Sequence, residues 1–141
     1  MQFNTYDRTA MVRLDKGDDV AACLLRYAEL AHVTLASIMG IGAVDDLTVG
    51  VFDLATNAYR RMHYTGNHEI NALVGNLTTK DGAPYLHLHI TCTDLDGRVV
   101  GGHLLAATVS LTAEIFVHVT DGVVDRAYDP DLGINRIVWP E

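Results

Sequence analysis

Alternation of apolar and polar residues predicts β-strands over most of this chain. The clearest case is TVSLTAEIFVHV at residues 108–119, where the side chains alternate with a period of two. One face carries Val109, Leu111, Ala113, Ile115, Val117 and Val119, and the opposite face is polar except for Phe116. We therefore expect a strand with one face in the core and one polar face outside it.

A different periodicity predicts a helix between residues 18 and 32. Its apolar stripe follows helical spacing at Val20, Leu24, Tyr27 and Ala31. Asp18 or Asp19 can accept hydrogen bonds from the first free amide groups, and both carboxylates are favourable at the positive end of the helix dipole. We expect this helix to cover one side of a sheet.

Shorter runs separated by turn signals predict the remaining strands. They cover residues 9–14, 33–39, 47–51, 57–64, 69–78 and 85–93. Residues 40–43, Gly-Ile-Gly-Ala, are predicted to form a turn, and Asp-Gly pairs at 81–82, 96–97 and 121–122 predict hairpins. One early helix followed by hairpin-joined strands predicts an α+β fold: a single domain over residues 1–141, with a mainly antiparallel sheet and one main helix packed on it.

The composition is that of a globular protein that does not require stabilising cross-links. The 141 residues include 49% hydrophobic and 20% charged residues, enough to build one core. Cys23 and Cys92 are far apart and fit no Cys-x-x-Cys pattern, so we expect reduced thiols. No membrane span or signal peptide is expected, and a cytoplasmic location is predicted.

The charge balance argues against non-specific binding to nucleic acid. Ten Lys and Arg face eighteen Asp and Glu, which gives a net charge of −8. Because affinity for DNA depends largely on neutralised phosphates, the whole chain repels such a polymer unless its cations cluster on one face. The available cations are Arg60, Arg61, Arg98 and Arg136.

Three histidines in the segment PYLHLHITCTDLDGRVVGGHL predict a metal site. In the strand YLHLHITCT, Leu86, Leu88, Ile90 and Cys92 share the inner face, whereas His87 and His89 lie together on the polar face. Residues two apart on a strand are about 6.5–7 Å apart along it, so both imidazoles can reach one ion. The Asp96-Gly97 turn then returns Gly101-Gly102-His103 to the same neighbourhood, where the glycines permit close backbone approach.

Three neutral nitrogen ligands favour Zn²⁺, with Ni²⁺, Cu²⁺ or Fe²⁺ as alternatives. Three protein ligands would leave a coordination position open for water or a ligand. The alternative is that all three histidines are simply solvated on a polar strand face. Among other candidates, His63 and His68 flank a turn and are expected to be exposed, while Glu69 or Glu114 could serve as a general base.

The ordered set of motifs resembles the PPC domain family, the plant and prokaryote conserved domain that is commonly described as DNA-binding. The motifs are VRLDKGDDV, SIMGIGAVDDLTVGVFD, HEINALVGNLT, PYLHLHIT, DGRVVGGHL and TVSLTAEIFV, and they place the core at about residues 8–130 with a C-terminal tail at 131–141. The resemblance, to the prokaryotic stand-alone type, implies a strongly curved antiparallel sheet, a homotrimer and a zinc-type site at His87, His89 and His103.

The resemblance and the charge leave several functions open. The family implies a regulatory protein whose partner is DNA or a DNA-associated protein, although the chain lacks the Arg-Gly-Arg hook of plant relatives and its charge opposes direct DNA contact. A zinc-dependent enzyme, or a protein that binds a small molecule at the metal, is the alternative. A plain assembly domain is the third, and whether the chain is an enzyme stays undecided.

Overall fold

The computed structural model describes residues 1–139 as one helix and eight strands. They follow the order β1 (Gln2–Tyr6), β2 (Thr9–Asp15), α1 (Val20–Leu30), β3 (Ala36–Asp53), β4 (Ala58–Lys80), β5 (Ala83–Asp94), β6 (Val99–Val119), β7 (Asp125–Asp129) and β8 (Ile134–Val138). The predicted α+β class, with a curved, mainly antiparallel sheet and one packed helix, is confirmed.

Four long strands close the sheet on itself. β6 pairs with β3 through most of its length and with β5 through its first residues, while β4 pairs with both β3 and β5. β2 and β1 extend the sheet beyond β6, and the β7–β8 hairpin is attached to β4 at Thr79 through a parallel pairing with Asp125. Closure of this kind gives the four long strands a shared interior, while β1 and β8 remain as edge strands of the sheet.

The helix α1 packs its apolar stripe against this interior. Val20, Leu24 and Tyr27 of the predicted stripe are buried together with Ala28, whereas the predicted Ala31 is the exposed C-cap residue. The helix contacts β5 and β6. Asp19 is the N-cap, because its carboxylate accepts a hydrogen bond from the Ala22 amide at 2.8 Å. At 11 residues, this helix is too short to cross a membrane, and no longer one occurs within residues 1–139.

Two predicted strand boundaries were wrong because the strands bend without ending. The predicted turn at 40–43 lies inside β3, where irregularities in pairing between Gly40 and Gly42 replace a chain reversal. The separate strands predicted at 57–64 and 69–78 are one strand, β4. β1 was not predicted, and the predicted C-terminal tail contains β8, with Pro140 and Glu141 outside the described residues.

The predicted alternation of the long strand fails at Leu111, which is 73% exposed although Val109 and Ala113 are buried. The register explains the exception: Ala113 pairs with Gly42 and Val109 pairs with Val44, so four steps along β6 oppose two along β3. The extra residues bulge outward and carry Leu111 away from the core.

Two of the three Asp-Gly pairs form the predicted hairpins. The pairs at 81–82 and 96–97 connect antiparallel strands as predicted, but the pair at 121–122 leads into β7, which runs parallel to β4.

Both cysteines are free thiols. Cys92 is fully buried, and that burial raises the pKa of its thiol to about 11.

Candidate metal centre

The strand β5 presents His87 and His89 on the face opposite the core. Their neighbours Leu88 and Ile90 are buried, so the alternation inferred from the sequence is present in the structure. His89 is exposed and His87 is partly buried. The strand pleat therefore fixes both imidazoles on the outer surface of the closed sheet, side by side.

His103 joins them because β6 changes partner at this residue. It pairs with His89 of β5 on one side and with Gly50 of β3 on the other. The Asp96-Gly97 turn makes this register possible by returning the chain directly alongside β5.

The three rings converge closely enough to hold one ion. One nitrogen from each of His87, His89 and His103 lies within 4.8 Å of the others. Their ring centroids are 5.1 to 5.5 Å apart. Two zinc–nitrogen bonds of about 2.0–2.1 Å span at most about 4.2 Å, so small side-chain rotations bring the nitrogens into range.

The surroundings of His103 fit a ligand role. Its Nδ1 is buried and has no hydrogen-bond partner within residues 1–139, which is rare for a buried polar atom and calls for an explanation. Burial is the main cause that lowers its pKa to about 4, with His87 and His89 adding to the effect. The ring is therefore neutral at neutral pH, the state that binds a metal.

Two glycines allow the histidine-bearing strands to approach this closely. A Cβ atom on Gly75 of β4 would lie 2.0 Å from the carbonyl oxygen of His87, and one on Gly101 of β6 would lie 2.4 Å from that of Ile90. The close approach expected of the Gly-Gly pair before His103 is thus present at Gly101, and Gly75 supplies a second case.

A cavity of about 170 Å³, here called the histidine cavity, lies beside the cluster. Its lining includes His87, His103, Tyr59, Tyr85, Arg126 and Asn135. Tyr59 stacks on the His103 ring at a centroid distance of 4.8 Å. Burial first, and then the charge of Arg126, lower the pKa of His87. The sequence did not reveal Tyr59 or Arg126, because they come from β4 and β7, far from the histidines in the chain. Tyr85 lies on β5 beside His87, but nothing in the sequence singles it out as a site residue.

The two carboxylates considered as general bases lie elsewhere. Glu69 and Glu114 line a different depression, together with Ile41 and Asn71. No acidic side chain within residues 1–139 lines the histidine cavity.

The remaining histidines do not join the cluster. His68 is buried, contrary to the prediction, and its Nδ1 lies 2.7 Å from the carbonyl oxygen of Gly66. His63 is exposed as predicted, with its Nε2 3.2 Å from Asp46. His118 forms a hydrogen bond with Thr9 at 3.0 Å on the distant end of β6.

The candidate DNA-binding cations are partly neutralised. Arg98 lies 2.7 Å from Asp96, and Arg136 lies 3.0 Å from Asp129. Arg60 and Arg61 are adjacent, exposed residues of β4. The chain therefore presents a small cationic spot and no broad basic face in its described part.

An exposed apolar row crosses the outer face of the sheet and ends at the histidines. By register, Met11 pairs with Phe116, Phe116 with Met39, Met39 with Val74, and Val74 with His89. Directly paired residues project on the same face. Phe116 is 45% exposed, Met39 61% and Val74 47%. Met11, Phe116, Met39 and Val74 are called the outer apolar row below.

Comparison with known proteins identifies relatives of similar length. The sequence profile of the Plants and Prokaryotes Conserved (PCC) domain matches residues 1–121. A protein of Bacteroides thetaiotaomicron described as a candidate DNA-binding protein shares 30% identity, with a TM-score of 0.94 over 97% of this chain and 96% of its own. No curated protein sequence matches this chain.

Two further solved structures match at a similar level. A protein of Ralstonia eutropha JMP134, also described as a candidate DNA-binding protein, is 32% identical with a TM-score of 0.90, covering 98% of this chain and 96% of its own. A protein of Archaeoglobus fulgidus described as metal-containing is 31% identical with a TM-score of 0.85, covering 99% and 97%.

Proposed function

The chain belongs to the Plants and Prokaryotes Conserved domain family, and from this premise we propose that it is a metal-binding regulatory protein. It forms a homotrimer, holds Zn²⁺ at His87, His89 and His103, and acts on DNA through an associated protein. The convergence of three imidazole nitrogens within 4.8 Å carries the proposal.

The donor set supports zinc as the bound ion. Three neutral imidazoles suit zinc, and the unpartnered Nδ1 of His103 is explained if the cluster holds a metal. When bound, zinc supplies a Lewis acid with one position open to an exogenous ligand. The protein orients the three rings through the β5–β6 register and limits solvent access at His103 through the stacked Tyr59. The relative described as metal-containing is consistent with this assignment.

The outer apolar row supports assembly into a trimer. Contiguous apolar groups on the surface of a monomer mark an interaction site, and this row stays exposed on a sheet face that no segment within residues 1–139 covers. Because the row ends at His89, an interface built on it would border the metal centre. Polar groups of the same sheet, including Thr112 and Glu114, would pair at its margin.

Replacing Phe116 by aspartate is expected to dissociate the trimer. Wild-type protein should sediment at about 46 kDa, three chains of 15.4 kDa, whereas Phe116→Asp should sediment as a monomer because a carboxylate would be desolvated at the interface. Analytical ultracentrifugation measures this directly. Val123→Asp, at a 68% exposed position in the loop after β6, is the matched control and should leave the mass unchanged. A wild-type monomer would contradict the trimer.

The charge distribution favours an indirect role at DNA. The net charge is −8, and two of the four candidate arginines already contact carboxylates. Direct contact would rely on Arg60 and Arg61, which are too few cations for strong phosphate binding. A partner protein that itself contacts DNA reconciles the acidic chain with relatives described as candidate DNA-binding proteins. A cytoplasmic location stays a prediction.

Direct DNA binding is expected to be weak and sensitive to salt. Fluorescence anisotropy with an A·T-rich and a G·C-rich duplex should give no Kd tighter than about 10⁻⁴ to 10⁻⁶ M at physiological salt. Any binding at low salt should fall further in Arg60→Ala/Arg61→Ala, since these are the free cations of β4. Sub-micromolar, sequence-dependent binding that persists at 0.2 M salt would contradict an indirect role.

Binding of a small molecule at the metal is the second candidate function, and the histidine cavity favours it. The cavity opens beside His87 and His103, where a ligand could reach the free coordination position. Zinc-dependent hydrolysis at the same site would require a general base, and no carboxylate within residues 1–139 lines the cavity.

A further inference from the structure

We propose that the histidine cavity binds a small oxyanion, a carboxylate or phosphate group, with Arg126 as its cationic anchor. The inference deepens the proposed function and rests on it for one half of the site, the metal held by His87, His89 and His103. The other half is built from residues of the C-terminal hairpin and of β4 and β5.

Arg126 is a buried guanidinium whose hydrogen-bond partners in the described part of the chain are all neutral. It is only 7% exposed. Its Nε donates to Thr78 Oγ1 at 2.8 Å, Nη1 to the Asn135 carbonyl at 3.1 Å, and Nη2 to Asn76 Oδ1 at 3.0 Å. The guanidinium also lies over the Tyr85 ring, 5.0 Å from its centroid.

Within residues 1–139, the charge of Arg126 is therefore not balanced by an acidic side chain. Among residues 1–139, its guanidinium forms no ion pair within 4.0 Å, whereas Arg8, Arg13, Arg98 and Arg136 all do. A guanidinium carries five N–H donors, and the three hydrogen bonds above use three of them. Buried charges are normally paired or hold a ligand, so an unpaired buried arginine facing a cavity indicates an anion site.

Arg126 lies close to the three-histidine cluster. Thr78 and Asn76, its partners on β4, pair by register with Tyr85 and His87 of β5. The anchor therefore lies along the same strand face as the histidines, and both line one cavity. An anion held by Arg126 would extend toward His87 and His103, where its other end could occupy the free coordination position of the metal.

The remaining walls suit a small anion. Tyr85 accepts a hydrogen bond from Asn135 at 3.4 Å and keeps its own hydroxyl proton available for donation. Tyr59 brings a second phenol to the lining of the same cavity. The volume of about 170 Å³ is well below the roughly 300–1,000 Å³ of sites for drug-sized ligands, which restricts the ligand to a few heavy atoms.

Nuclear magnetic resonance of the arginine Nε–H groups tests the proposal directly. Tag-free protein, both zinc-free and zinc-loaded, is titrated with sodium acetate or sodium phosphate, with sodium chloride as the control at equal ionic strength. We expect a saturable shift of the Arg126 resonance that chloride does not reproduce, with at least tenfold tighter binding to zinc-loaded protein. Tighter binding of acetate would indicate that the ligand carries a carboxylate, and tighter binding of phosphate would indicate that it carries a phosphate group.

Variants distinguish an anion-binding role of Arg126 from a purely structural one. Arg126→Met should abolish anion binding, whereas Arg136→Met, on the same hairpin but outside the cavity, should preserve it. If Arg126→Met does not fold, the wild-type resonance and the variant Tyr85→Phe, expected to weaken binding severalfold, carry the test. Anion shifts no larger than those of chloride, or unchanged binding in a folded Arg126→Met, would overturn the proposal.

The zinc measurement keeps this inference distinct from the proposed function. Zinc bound at the histidines without anion binding would overturn the anion site alone. Acetate or phosphate bound at Arg126 in a protein that takes up no zinc would support the anchor, while contradicting the metal site of the proposed function and the expected tightening by zinc.

Discussion

Replacing His103 by alanine is expected to lower the affinity for zinc by more than about a hundredfold. Groups that only orient a metal ligand typically contribute 10–100-fold to affinity, so loss of a ligand itself should exceed that range. His103 lies between β5 and β3, because its backbone pairs with His89 on one side and with Gly50 on the other. Its buried Nδ1 has no hydrogen-bond partner within residues 1–139. Competition with a chromophoric chelator measures the affinity.

His118→Ala provides the matched control for this prediction. His118 lies on the same strand, β6, but it contacts Thr9 and is far from the cluster in the register. Its replacement should leave zinc affinity unchanged within about twofold, since exposed hydrogen bonds contribute little. Equal zinc affinity in wild type, His103→Ala and His118→Ala would refute His103 as a ligand. Circular dichroism establishes that each variant is folded.

Gly75→Ala is expected to destabilise the fold by roughly 3 kcal/mol or more, or to prevent folding. The added methyl group would lie 2.0 Å from the His87 carbonyl oxygen and 2.9 Å from the Leu88 Cα, both of which are backbone atoms that cannot rotate away. β4 and β5 would have to separate at the residue that carries a metal ligand. Zinc affinity should therefore fall together with the free energy of unfolding.

Gly97→Ala is the control that distinguishes destabilisation by steric overlap from destabilisation by the replacement of a glycine alone. Gly97 has a φ of +79° and its added Cβ would meet no atom within 4 Å, so only left-handed strain of about 1–2 kcal/mol is expected. Urea unfolding at a fixed protein concentration compares the two variants. A loss at Gly75 no greater than that at Gly97 would show that the close approach of β4 and β5 is unimportant.

The sequence predicts the elements better than their ends. Helix α1 and the inner face of β5 follow from side-chain periodicity alone, because burial imposes it directly. The continuous strand β3 was missed at residues 40–43, since glycine signals a bulge inside a strand as readily as a turn. Leu111 illustrates the same limit: the bulge that exposes it depends on pairing with a distant strand.

The candidate site divides in the same way. His87, His89 and His103 could be grouped from one hairpin, because strand alternation and a single Asp-Gly turn bring them together. Arg126 and Tyr59 could not, since they reach the site through closure of the sheet and the parallel attachment of the β7–β8 hairpin. The exposed Phe116 was visible as the exception to its polar face, and the outer apolar row gives that exception a structural context.

The most direct test of the account is the metal content of the protein purified without an affinity tag, measured by elemental mass spectrometry. The double variant His87→Ala/His89→Ala is measured in parallel. We predict about one zinc ion per chain in the wild type, following one three-histidine cluster per chain, and none in the double variant. A wild-type protein that contains no metal, even after incubation with zinc, would contradict the account.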